Sequence, residues 1–122
     1  MPFERVVGIY DADGTLRGEL AYLLGRARGT AHCALCDITH GRLRRRPDFD
    51  VAVTALDVPF ELRHRDEVDD VGRAAAGGRY PCVVGIADGR GTVLLDADEL
   101  ERCEGDPATM VELLVAALQR PT

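Results

Sequence analysis

The chain has 122 residues, 46% of them hydrophobic and only 5% aromatic, with no tryptophan; that is one domain's worth of chain, with a core built mainly from Val, Leu, Ile and Ala. Its 21 acidic residues outnumber 15 basic ones, all arginine, for a net charge of −6, which argues against a nucleic-acid or membrane-surface binder needing a basic excess. No apolar run approaches a membrane span and the opening residues do not read as a signal peptide, so a single cytoplasmic domain over residues 1–122 is expected.

The first element is a β-branched strand over residues 5–10, ending at the turn-rich Asp11-Ala12-Asp13-Gly14. A helix is expected over 16–28, where Leu20, Leu23, Leu24 and Ala27 recur at helical spacing and Gly29 supplies a stop. Residues 33–45 show no two-residue alternation and predict a second helix, ended before Pro47 because the proline ring disfavours helix in the residue preceding it. Asp48 or Asp50 then caps a short helix over 49–56.

Residues 58–63 alternate as a strand, and 66–76 read as a helix halted by Gly77 and Gly78. Two β-rich runs, 81–87 and 91–97, flank Asp88-Gly89-Arg90, which is a hairpin signal. The acidic group Asp96, Asp98, Glu99 and Glu101 reads as the cap of a short helix. A final helix over 107–119 places Met110, Leu113, Leu114 and Leu118 on one face. This order predicts an α/β domain of two or three layers with a mixed sheet, whose last two strands form an antiparallel hairpin.

The chemistry-bearing string is His32-Cys33-Ala34-Leu35-Cys36-Asp37-Ile38-Thr39-His40-Gly41. Two thiols three residues apart can close a disulfide if the first opens a helix, and the helix N-terminus favours the thiolate of Cys33. His32 adds positive charge when protonated. Cys82 falls in an apolar strand and is expected to pack in the core, resolving a disulfide only if it lies near the pair; Cys103 is likewise read as a packing thiol.

From first strand to last helix the chain resembles the thioredoxin and glutaredoxin family. The resemblance rests on the order of elements, on Cys33 and Cys36 as a Cys-x-x-Cys pair, and on Pro81 in Tyr80-Pro81-Cys82-Val83-Val84. It implies a thioredoxin-like mixed sheet with flanking helices and a C-terminal hairpin plus helix, with Pro81 as a cis-proline beside the thiols. It further implies a thiol-disulfide redox protein whose partner is a protein or small-molecule thiol or disulfide. The string HCALCDITHG also resembles a CxLCxxT[HY]G motif of small, uncharacterised bacterial proteins, which supports a site there without naming its reaction.

The same residues admit a second use, with no cofactor in the first. Cys33 and Cys36 have the spacing of a zinc knuckle, and His40 stands one helical turn beyond Cys36; His32, Cys82 or Cys103 would complete a four-coordinate zinc or soft-metal site. A third use is packing alone, since free cysteine is among the most buried residue types.

Directly after the first strand, Asp11-Ala12-Asp13-Gly14-Thr15-Leu16 resembles the first motif of haloacid-dehalogenase-type phosphatases, implying Asp11 as phosphoryl acceptor and Asp13 as acid or base. That family needs a downstream lysine, which this chain lacks, and its late acidic motif is matched only by Asp69-Asp70 within an expected helix. His64 is read as an exposed edge residue with no neighbour in sequence that makes it a base. Arg42, Arg44, Arg45 and Arg46 form a local basic cluster suited to a solvated helix end or an acidic partner.

Overall fold

The computed structural model describes residues 3–11, 34–39 and 47–119. Strand β1, Arg5–Tyr10, is buried on both sides from Val6 onward, as its continuous apolar run requires. It lies in a four-stranded sheet of order β2-β1-β3-β4, where β2 is Phe60–His64, β3 is Cys82–Ala87 and β4 is Arg90–Leu95. β2 runs parallel to β1, β3 antiparallel to β1, and β4 antiparallel to β3. The fold is therefore α/β with an open mixed sheet.

Five helices are described: α1, Ala34–Thr39; α2, Pro47–Val53; α3, Asp70–Ala76; α4, Ala97–Glu101; and α5, Pro107–Leu118. Side chains alternate along each strand, so the sheet has two distinct faces. Val6, Tyr10 and Val83 point to one and pack with Leu35 and Ile38 of α1, Phe49 of α2, Leu100 of α4, and Met110 and Leu114 of α5. Val7, Ile9, Cys82, Val84 and Ile86 point to the other, where Val68 and Ala76 at the two ends of the α3 segment cover them. Gly8 lets α1 approach closely: a Cβ there would stand 3.2 Å from a Leu35 methyl and 3.1 Å from one of Leu62. Among the described residues no helix is long and apolar enough to cross a membrane.

The elements differ from the expected ones at places with clear causes. The helix expected over 49–56 begins at Pro47, which suits the first helical turn because its missing N–H needs no partner there. Beyond Val53 the chain tightens, with Thr54, Ala55 and Leu56 donating to carbonyls three residues back. The strand expected over 58–63 starts at Phe60, since Pro59 has no N–H and contributes only its carbonyl, which accepts from Val6 N at 2.9 Å. The hairpin turn is as its residues dictate: Asp88 and Gly89 both have positive φ, 53° and 73°, the conformation favoured in two-residue hairpin loops. The helix expected over 16–28 lies outside the described residues.

The helix expected over 66–76 starts four residues later because Asp69 is its N-cap, its carboxylate accepting from Gly72 N at 2.9 Å; Gly77 closes it in the left-handed conformation. The Gly72 amide first, and then the Arg5 guanidinium, hold the Asp69 carboxyl below its ordinary value. Its contribution is therefore present at neutral pH and lost on acidification through the lowered pKa. Asp69→Ala is expected to cost about 1 kcal/mol, read as a lower urea midpoint at pH 7, while Asp69→Asn retains most of the cap.

Candidate functional site

The carboxyl ends of β1 and β2 lie side by side because the two strands are parallel, and in open α/β sheets that edge is where sites are built. Tyr10 closes β1 there, 5% exposed, and its hydroxyl shares a 2.9 Å hydrogen bond with the Thr39 hydroxyl. Thr39 is fully buried at the end of α1. A buried hydroxyl pair of this kind ties α1 to the end of β1, since a hydrogen bond shielded from water is stronger than one exposed to it.

Cys36 belongs to α1, between the buried Leu35 and Ile38 and three residues before Thr39. At 1.5 Å rise per residue the Cys36 and Thr39 backbones are about 4.5 Å apart along the helix. Cys33, His32, His40 and Asp13 lie outside the described residues, as do Arg42, Arg44, Arg45 and Arg46.

Pro81 is buried at the head of β3 and follows a cis Tyr80–Pro81 peptide. Cys82 pairs with Ile9 across the antiparallel ladder, so Pro81 stands level with Tyr10. The helix carrying Cys36 and the loop carrying Pro81 thus meet the sheet at the same end of β1.

The other two cysteines are separated by the sheet. Cys82 points to the α3 face, opposite the side on which α1 packs, so it is not placed to resolve a disulfide with Cys36 or to join a metal site on α1. Cys103 does share the core with Leu35 and Ile38, just past α4, and its Sγ–H donates to the Glu99 carbonyl at 3.5 Å. Burial pushes both thiols up to about 11, helped at Cys103 by Asp106 and Glu99. Neither is nucleophilic at neutral pH, since the thiolate is the reactive form. In native protein at pH 8, iodoacetamide is expected to leave Cys82 and Cys103 unmodified and to label both after denaturation, as peptide mass mapping would show. Because the unfolded thiols ionise near 9.0, the same burial makes folding stability fall as pH rises from that value toward about 11.

His64 is more than an exposed edge residue. It ends the edge strand β2, pairs with Tyr10 in the ladder, and its ring centroid lies 5.4 Å from that of Tyr10. Its Nδ1 is 2.5 Å from Glu67 Oε1; an ionised carboxylate only accepts, so Nδ1–H is the donor. That bond, followed by one from the His64 backbone N–H, lowers the Glu67 pKa. The sequence reading missed this pair. A His followed three residues later by Glu was its only signal, and the signal acquires meaning once the strand ends at His64 and the chain turns back, with Glu67 N donating to His64 O at 2.9 Å.

Asp11, just past β1, is held by Arg65 Nη1 at 3.0 Å. The phosphatase-like motif gains no late acidic partner from Asp69, which caps α3 and pairs with Arg5 at the opposite end of β1. Among the described residues no three His, Cys, Asp or Glu side chains are grouped to hold a metal ion. No family model matches the chain, and neither a curated protein nor a solved structure matches it.

Proposed function

We propose that the chain is a thioredoxin-like thiol-disulfide redox protein in which Cys33 and Cys36 form the exchanging pair and Pro81 shapes the surface beside them. The observation that carries this reading is convergence at one strand end: α1, which contains Cys36, is bonded to Tyr10 through Thr39, and Pro81 stands level with that same Tyr10. The inert character of Cys82 and Cys103 adds to it, because it leaves Cys33 and Cys36 as the pair that can carry exchange.

In the reaction, the Cys33 thiolate attacks one sulfur of a partner disulfide and expels the other as a thiolate, which takes up a proton. The Cys36 thiolate then attacks the Cys33 sulfur, closing the Cys33–Cys36 disulfide and releasing the second partner thiol. The protein dithiol loses two electrons and the partner disulfide gains them.

Native mass spectrometry of protein purified without chelator, with a free-thiol count before and after mild reduction, tests the reading. A metal-free chain that gains two thiols on reduction, and loses that gain in Cys36→Ser, is the expected result. Bound zinc that leaves in both Cys33→Ser and His40→Ala would instead assign these residues to metal binding.

A further inference from the structure

An apolar cleft opens at the amino ends of β1 and β2, the end of the sheet opposite Tyr10 and Pro81. Phe3 before β1, Leu56 and Val58 before β2, and Val115 and Leu118 of α5 line it. Its volume is about 300 Å³ and it is open to solvent, which is small for a ligand pocket. The apolar surface continues past it. Ala55 also lines the cleft; Val51, one turn earlier, is 70% exposed, and Val115 is 38% exposed. Single exposed apolar side chains are ordinary, but these adjoin one cleft, which is the pattern of an interaction surface.

The charges around it have one sign. Residues 47–58 and 107–119 hold four charged side chains, Asp48, Asp50, Asp57 and Glu112, all acidic, in a chain that has 15 basic residues. Asp57 lines the cleft, and Glu112 stands one turn before Val115 on the exposed side of α5. Neither of these two carboxylates forms an ion pair with a described residue.

We propose that this surface docks a basic amphipathic helix of a partner protein, whose apolar face covers Val51, Val115 and the cleft and whose Lys or Arg side chains meet Asp57 and Glu112. Apolar surface running from Val51 to Leu118 extends beyond the cleft and suits a helix that anchors at i, i+3, i+4 and i+7. Charge disfavours a second copy of the chain, because a symmetric contact sets one patch against itself and would bring carboxylates against carboxylates. The inference goes beyond the thiol reading and stands without it, since it uses neither Cys33 nor Cys36.

The test is fluorescence anisotropy of the full chain with a labelled Leu/Lys peptide of about 14 residues, the length of an ordinary helix, with leucines at helical spacing. A Leu/Glu peptide of the same pattern is the control. The expected result is binding of the Leu/Lys peptide at least about tenfold tighter than the control, weakened by salt. Val51→Arg and Val115→Arg each weaken it about tenfold, and the double variant Asp57→Asn/Glu112→Gln weakens it about fivefold. Val93→Arg adds the same charge at an exposed valine on β4 and is expected to leave binding within twofold. Circular dichroism confirms that each variant is folded, and Val51→Arg, at the most exposed position, decides the matter if Val115→Arg is not.

Sedimentation of the unmodified chain alone is expected to show a monomer. A dimer that dissociates in Val51→Arg would give the surface to a second copy and overturn the inference. Equal binding of the two peptides, or a loss in Val93→Arg as large as in Val51→Arg and Val115→Arg, would overturn it as well.

Discussion

Cys33→Ser is expected to abolish the reaction with oxidised glutathione, with a loss of at least about a hundredfold in the rate of thiol consumption at pH 7.5. Serine at this position is no nucleophile toward sulfur, and no other described thiol can substitute, because Cys82 and Cys103 are buried and ionise only near about 11. Cys36→Ser behaves differently: the first attack persists, but the adduct has no resolving thiol and accumulates as a stable mixed disulfide. The pair of variants therefore separates the roles of attacking and resolving cysteine by product, independent of rate. Equal rates and identical products in the two variants would assign the reaction to some other thiol.

Phe49→Ala is expected to give the largest loss of stability, about 3–5 kcal/mol, read as a lowered midpoint in urea with unchanged slope. Phe49 is fully buried in α2 and meets Phe60 of β2 edge-on, with ring centroids 5.7 Å apart. Truncation removes that aromatic contact and leaves a cavity between α2 and the sheet that its rigid neighbours fill only in part. Because this site faces the same core as α1, its loss is also expected to slow exchange only insofar as the chain unfolds. Exchange measured well below the transition should therefore retain most of its rate.

Local chemistry made much of the framework legible. β-branched residues over 5–10, the Asp88-Gly89 turn, the glycines after α3 and the apolar face of α5 each act through neighbours in sequence, and each element stands where those neighbours place it. The misplaced boundaries arose where a side chain or a ring competes with the backbone: Asp69 starts α3 by capping it, and Pro59 delays β2. The thiol pair and Pro81 were visible as residues. That α1 and Pro81 meet the sheet at the same end of β1 was not, because it depends on the parallel crossover that returns β2 beside β1 and on the register that sets Cys82 against Ile9.

The contacts that tie the site together were the least legible. Tyr10 and Thr39 are 29 residues apart in the chain, and neither stands out from its own surroundings. His64 and Glu67 form a pair only after the strand has ended. The sidedness of the sheet decides the fate of the two remaining cysteines: one-residue alternation along β3 sends Cys82 to the α3 face and Val83 to the α1 face. Read as a string, both cysteines were equally available to complete a metal site. Cys82 is removed from that role by the sheet itself.

Disulfide mapping of the full chain after equilibration with oxidised glutathione addresses the central claim most directly. Peptide mass spectrometry is predicted to find one internal disulfide, between Cys33 and Cys36, with Cys82 and Cys103 recovered as free thiols. Four free thiols, or a disulfide that joins Cys36 to Cys82 or Cys103, would contradict the account.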